Sequence, residues 1–206
     1  MIKVKICGIT NLRDALAAVD AGCDALGFNF CKKSPRYIRP QAALEIISNL
    51  PKSVVKIGVF VDEQEKTIKS IAKLCKLDIL QFHGRESPGF CRKFKGLKII
   101  KAFRVKDRLD LEGIREYKTF AYLFDAFSKS SPGGGTGKNF NWELLRHLAD
   151  MRQPIFLSGG LNARNVRRAI AAAQPDWVDA CSCIERSPGK KDSAKVRRFI
   201  QAAKGK

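Results

Sequence analysis

Apolar residues gather along the chain in short, nearly continuous runs: Lys3–Cys7, Ala25–Phe30, Val54–Val61, Ile79–His83, Lys98–Phe103, Tyr122–Asp125, Ile155–Ser158 and Trp177–Cys181. Continuous rather than alternating hydrophobicity predicts strands covered on both faces, as in a parallel sheet overlaid by helices. Between these runs the spacing becomes helical. Leu12, Ala15, Leu16 and Val19 fall at i, i+3, i+4, i+7, and so do Ala43, Ile46, Ile47, Leu50 and Ile68, Ile71, Ala72, Cys75. Val166, Ala169, Ile170, Ala173 and Val196, Phe199, Ile200, Ala203 repeat the template. The stretches around Cys91–Phe94 and Leu111–Ile114 fit it less well. Start signals accompany the pattern. Asp62 followed by Glu65 has the form of a capping box, and Ser87-Pro88 puts proline at a first helical position.

Strand and helix patterns that alternate through the chain imply βαβ units with right-handed crossovers. The expectation is an α/β fold, a closed (β/α)8 barrel of parallel strands ringed by helices, forming a single domain over residues 1–206. A doubly wound open sheet is the alternative, but so many repeats in so short a chain, with no edge-strand signal, favour closure. The one long irregular stretch, Phe127–Phe140 with Pro132-Gly133-Gly134-Gly135-Thr136-Gly137, reads as a functional loop, in the manner of a lid.

Composition narrows the class. An apolar fraction of 45% and a charged fraction of 29% are those of a globular protein. No run of about 18 apolar residues is present, which argues against a membrane span. Met1–Ile6 reads as a strand rather than a signal peptide, so a cytoplasmic location is expected. Seven cysteines are scattered without a C-x-x-C pair, and only two histidines are present. Reduced, mostly buried thiols and no metal site follow, with Cys75 continuing a helix core stripe. The 39 basic and 20 acidic residues leave a net charge of +19. Arg164, Arg167, Arg168, Lys195, Arg197 and Arg198 fall on the predicted outer faces of helices, and no basic motif is interleaved with aromatics. A solvated surface is therefore favoured over a nucleic-acid site, and an anionic substrate gains from the field either way.

Active sites of such barrels lie at the carboxyl ends of the strands. Those ends carry Cys7-Gly8, Phe30 leading to Ser34-Pro35-Arg36, Asp62, His83-Gly84, Arg104, Asp125, Gly159-Gly160 and Cys181-Ser182-Cys183. Ser158-Gly159-Gly160-Leu161-Asn162 follows the seventh strand and opens toward a helix. Phosphate sites form there from loop amides and a helix N-terminus.

These segments resemble the phosphoribosylanthranilate isomerase family. The likeness is carried by Lys5-Ile6-Cys7-Gly8-Ile9-Thr10, by Gly27-Phe28-Asn29-Phe30 with Ser34-Pro35-Arg36-Tyr37-Ile38, and by Gly58-Val59-Phe60-Val61. Leu80-Gln81-Phe82-His83-Gly84, Phe124-Asp125-Ala126, Gly134-Gly135-Thr136-Gly137, Leu157-Ser158-Gly159-Gly160-Leu161 and Pro188-Gly189-Lys190-Lys191-Asp192 extend it in order over nearly the whole chain.

The resemblance implies an Amadori rearrangement of N-(5'-phosphoribosyl)anthranilate in tryptophan biosynthesis, with no cofactor and no metal. Cys7 matches the general base. An ordinary thiol titrates near 8.5, so the positive surroundings, Lys5 or loop amides, are expected to lower it. Asp125 matches the general acid and has to keep its proton well above the ordinary 3.9 or so. Arg36 matches the arginine for the anthranilate carboxylate, where a two-donor fork suits the partner. Asp179 matches a position near the sugar hydroxyls, or is a structural strand aspartate. His83 either lines the anthranilate pocket or is a hydrogen-bonded histidine at a strand end. Gly159, Gly160, Ser182 and Cys183 match the phosphate cup. The implied partner is a small phosphorylated substrate bearing an anthranilate carboxylate, the protein being a monomer or homodimer.

One segment departs from the pattern. The family reads Ser-Ser-Gly after the eighth strand, where this chain has Cys181-Ser182-Cys183. Cys183 adds a Cβ where backbone approaches phosphate, and a positive φ there would be strained. Two rivals stand beside the main reading. One is another phosphosugar barrel isomerase, which in the histidine pathway resembles an aspartate base where Cys7 stands. The other is a non-catalytic basic binding protein on the same fold.

Overall fold

The computed structural model describes residues 1–106, 108–126, 141–148 and 151–205. Its parallel strands β1 (Lys3–Cys7), β2 (Ala25–Asn29), β3 (Val55–Phe60), β4 (Ile79–Phe82), β5 (Lys98–Val105), β6 (Ala121–Ala126), β7 (Ile155–Leu157) and β8 (Trp177–Ala180) pair in chain order. β8 pairs back to β1 through Lys3↔Trp177 to Ile6↔Ala180, which closes the barrel and disposes of the open-sheet alternative. The strands match the predicted runs to within a residue or two at their ends. β2 stops at Asn29 because that side chain accepts a hydrogen bond from the Cys31 amide at 2.9 Å and turns the chain away.

Around the barrel lie α1 (Leu12–Asp20), α2 (Pro40–Ser48), α3 (Glu65–Leu74), α4 (Pro88–Cys91), α5 (Leu111–Arg115), α6 (Val166–Ala173) and α7 (Ser193–Lys204). Their apolar stripes face the strands: Ala15, Ile46, Ile68, Ala169 and Phe199 are buried. α4 and α5, where the periodicity was poorest, are a turn or so long. After β6 the described helix, Trp142–Leu148, is 3-10 rather than α. The glycine-rich stretch Phe127–Phe140 lies outside the described residues. Caps follow side-chain chemistry, Asn11 accepting from the Asp14 amide, Ser87 from Phe90 and Asp192 from Lys195.

The capping box expected at Asp62 is not formed. α3 starts after Gln64, and Asp62 sits at φ 50 with its carboxylate accepting from the Arg85 amide at 2.5 Å. Asp62 is instead tied across to the β4–α4 turn. There Glu86 receives the Asp62 amide at 2.9 Å and the Lys101 ammonium at 2.7 Å. Of the cations expected on outer faces, Arg164, Arg167, Arg168, Arg197 and Arg198 are exposed. Lys195 is half-buried because its ammonium donates to the Glu185 carbonyl at 2.9 Å. Among the described residues no helix is long and apolar enough to cross a membrane.

Side chains alternate across a strand, so every second residue enters the barrel. At its amino-terminal end the interior is apolar. Ala25, Ile57, Ile79, Ile100, Leu123, Phe156 and Trp177 form one buried cluster, with the Phe156 and Trp177 rings stacked at 4.8 Å. One step along, in the same inward phase, the residues turn polar: Lys5, Gln81, Asp125 and Asp179 are all buried. Lys5 and Asp179 are register partners on β1 and β8, and their 2.9 Å ion pair lets two charges occupy the barrel centre.

Candidate active site

The polar layer opens at the carboxyl ends of the strands into one cleft. It is lined by Cys7, Gly8, Arg36, His83, Asp125, Gly159, Gly160, Asp179, Cys181, Ser182 and Cys183, among others. Every residue singled out from the sequence as catalytic or binding therefore faces the same space. They come from the β1 end, the loop after β2, and the ends of β4, β6, β7 and β8. That is what the inward phase of the strands dictates, since Cys7 continues Lys5, His83 continues Gln81, and Asp125 continues Leu123 at two-residue intervals.

Asp125 is buried, and its Oδ2 lies 3.3 Å from His83 Nε2. The other ring nitrogen, Nδ1, is 3.1 Å from the Gln81 side-chain nitrogen. His83 thus contacts the Gln81 amide on one side and lies close to the carboxyl group on the other, with Nε2 making no hydrogen bond among the described residues. Arg36 is held by Glu185: Nη2 donates to Oε2 at 2.7 Å, and Nε reaches Oε1 at 3.2 Å. Glu185 also receives Lys191 at 2.9 Å. Burial pushes the Glu185 carboxyl upward, but Arg36 and Lys191 outweigh it and hold the group below its usual range. Asp179 pairs with Lys5 through Oδ2, while its buried Oδ1 has no hydrogen-bond partner among the described residues. The ion pair with Lys5 gives Asp179 a structural part, and the residue also lines the cleft.

The expected lowering of Cys7 is not found. The neighbouring Cys181 thiol, together with burial, raises it well above the ordinary range despite the pull of Lys5. Cys181 is the thiol brought down, to about 7, chiefly by the neighbouring Cys7 thiol and then by Lys191 and Arg36, against its own burial. Lys5 sits deep enough for burial to disfavour its charge, yet the attraction of Asp179 and Cys7 raises it overall.

The turn after β7 needs its glycine. Gly159 has φ +89, and a Cβ there would stand 2.5 Å from the Ala126 nitrogen. The turn does not run straight into a helix. Asn165 accepts from the Asn162 amide at 2.8 Å and donates to the Gly160 carbonyl at 3.0 Å, and α6 begins only at Val166. The strain anticipated at Cys183 is absent as well. Among the described residues only Asp62, Lys76 and Gln174 combine a side chain with positive φ, and Cys183 sits within the 3-10 turn Ser182–Ile184. No group of three histidine, cysteine or acidic residues among the described ones is arranged to hold a metal ion.

Sequence reading passed over Gln81, Glu185 and the placement of Cys181 in the same cleft as Cys7. Gln81 had a signal, a polar residue two places before His83 in a buried strand. Cys181 had one too, following a strand in register with β1. Glu185 had none, since it meets Arg36 from β9 (Glu185–Ser187), which makes a short hairpin with β10 (Lys190–Lys191).

Comparison with known proteins agrees with this arrangement. The family model for N-(5'phosphoribosyl)anthranilate isomerase matches residues 4–202. The chain is 50% identical over 204 residues to the N-(5'-phosphoribosyl)anthranilate isomerase of Pelobacter propionicus, covering 99% of this chain and 96% of that one. The crystal structure of phosphoribosyl anthranilate isomerase from Thermotoga maritima superimposes with a TM-score of 0.94 at 43% identity, each chain covered in full. A further phosphoribosyl anthranilate isomerase structure, in complex with reduced 1-(o-carboxyphenylamino)-1-deoxyribulose 5-phosphate, gives 0.90 at 42% identity and the same coverage. With its closed barrel and its cleft at the carboxyl ends of the strands, this chain belongs to the phosphoribosylanthranilate isomerase family.

Proposed function

We propose that the protein catalyses the Amadori rearrangement of N-(5'-phosphoribosyl)anthranilate to 1-(2-carboxyphenylamino)-1-deoxyribulose 5-phosphate, with Asp125 as general acid and Cys7 as general base. The observation that carries this reading is the sharing of one cleft by a buried carboxyl group at the end of β6 and a thiol at the end of β1. The ligand reported in a 42% identical relative is the reduced form of the same product, which supports the substrate class.

Asp125 donates its proton to the furanose ring oxygen, the C1–O bond breaks, and the nitrogen lone pair forms an iminium at C1. Cys7 then takes the C2 proton, and the electrons of that bond become the C1=C2 bond of an enolamine, the iminium acting as the sink. Ketonisation protonates C1 and releases the hydroxyl proton at C2, so substrate and product carry equal numbers of protons. His83, 3.3 Å from Asp125, orients the carboxyl group rather than reacting. Arg36 receives the anthranilate carboxylate. The unpartnered Oδ1 of Asp179 accepts from a sugar hydroxyl. Gly159, Gly160, Ser182 and Cys183 surround the phosphate, where bare backbone allows close approach.

The test is turnover of phosphoribosylanthranilate, followed through the loss of its fluorescence. Wild-type protein consumes it, and Cys7→Ala and Asp125→Ala each lower kcat by about 10² or more. Undiminished activity in both variants would refute the assignment.

A further inference from the structure

His83 and Asp125 stand at the ends of strands that do not touch. β5 separates β4 from β6 in the barrel, so no ladder hydrogen bond fixes the 3.3 Å between His83 Nε2 and Asp125 Oδ2. That distance depends on the turn that carries the ring. On one side the turn is tied to β3, the His83 amide donating to the Phe60 carbonyl at 2.9 Å. On the other side the pairing of β4 with β5 ends at Phe82↔Lys101, and there a side chain takes over from the ladder.

Inward and outward positions alternate along a strand. Lys101, between the inward Ile100 and Ala102, therefore turns to the layer between barrel and helices, where it is buried. Its ammonium has three protons. Among the described residues it meets three oxygens: Glu86 Oε2 at 2.7 Å, the Gly84 carbonyl at 2.8 Å and the Phe82 carbonyl at 3.5 Å. Glu86, also buried, accepts the Gly84 amide at 3.0 Å and the Asp62 amide at 2.9 Å. Its own carbonyl receives the Tyr117 hydroxyl at 3.1 Å. The pair thus holds the main chain immediately before and immediately after His83. Position 84 has to be glycine for this, since a Cβ there would fall 2.7 Å from the Asp62 nitrogen.

We propose that Lys101 and Glu86 are positioning residues for the reaction, the pair fixing the main chain around His83 so that its ring stays beside the Asp125 carboxyl group. This rests on Asp125 being the acid. Stability alone does not account for the pair. Desolvation of two buried charges offsets much of their attraction, and an apolar pair of similar volume commonly serves a fold as well or better. An apolar pair, however, cannot hold the two carbonyls that flank His83 and the amide that follows it. Placement matters for an acid that has to meet one oxygen of the sugar, because a shift of about 1 Å can cost about 10²-fold in rate. Neither Lys101 nor Glu86 lines the cleft, so both act through His83.

The double variant Lys101→Met/Glu86→Gln tests the pair, because it removes both charges together and leaves neither buried alone. It should still unfold cooperatively on heating. The chain has two histidines, so the His83 ring signals can be assigned in the magnetic resonance spectrum with His83→Asn, and in the double variant they should move or broaden. kcat should fall about tenfold or more while KM stays within about threefold. Glu86→Gln alone, measured in the same way if the double variant does not fold, should move both readouts in the same direction. Ring signals that coincide with those of wild type, or an undiminished kcat in a folded variant, overturn the proposal. If Asp125→Ala proves fully active, the acid reading fails by itself, and the ring signals then decide whether Lys101 and Glu86 place His83. If Asp125→Ala is inactive and the ring signals are unmoved, the acid stands and the positioning pair falls.

Discussion

Arg36 meets the cleft already bound on one edge, its Nη2 held 2.7 Å from Glu185 Oε2 and its Nε shared with the same carboxylate. The planar fork is thereby fixed in orientation, with Nη1 the nitrogen that Glu185 does not engage. Glu185 itself is kept charged by Lys191 at 2.9 Å. The hairpin after β8 thus positions a cation that the chain supplies far away, after β2.

This geometry separates binding from chemistry. Arg36→Lys keeps the charge but loses the fork, and should raise KM about tenfold or more while leaving kcat within a few-fold. Glu185→Gln frees the guanidinium to wander and should raise KM in the same sense. Steady-state kinetics check both, and a fall in kcat at unchanged KM would contradict them.

Acid stability should carry the signature of Glu185. Its folded carboxyl titrates below its ordinary value, so the unfolded chain binds its proton first as pH falls. The stabilisation is present above the ordinary carboxylate range and is lost as pH falls through it toward the lower folded value. Denaturant unfolding followed from pH 7 into the acid range should show a smaller loss for Glu185→Gln than for wild type.

At the alkaline end the buried thiols act in the opposite direction. Burial pushes Cys75 and Cys91 up to about 11 and Cys23 up to about 12. Groups raised in the folded state favour folding fully below the ordinary thiol range, and that contribution is lost as pH rises through the interval up to the folded values. Unfolding free energy should therefore decline from about pH 9 upward. Cys75→Ala, which lacks the ionisable sulfur, should show a shallower decline even if it starts less stable.

Gly159→Ala tests the turn proposed to hold the phosphate. The added methyl meets the Ala126 nitrogen at 2.5 Å, and the backbone lies at φ +89. A destabilisation of about 2–3 kcal/mol is expected, together with a raised KM, because Ala126 directly follows the proposed acid Asp125. Thermal unfolding and kinetics measure the two effects. A variant as stable as wild type would mean that the turn can relax.

Much of this molecule is readable in one dimension. Buried strands need continuous apolar runs, and helices covering them need a 3.6-residue stripe, so both leave local marks, and their alternation implies a barrel. The rule that such barrels work at the carboxyl ends of their strands also gathers Cys7, His83 and Asp125 at one end before any coordinate is known. What the chain could not disclose depends on distances between segments remote in sequence. Asp62 looked like a helix cap and instead braces the β4 turn, because its partner Arg85 is brought in by a neighbouring strand. Cys183 looked strained only while its φ was unknown. The proton affinity of Cys7 was misjudged because a thiol responds to whatever lies beside it, and only barrel closure puts Cys181 there. Local pattern determined the elements and the list of reactive side chains. Closure of β8 on β1 decided their partners and their charge, since hydrogen bonds and Coulomb forces act through space and not along the chain.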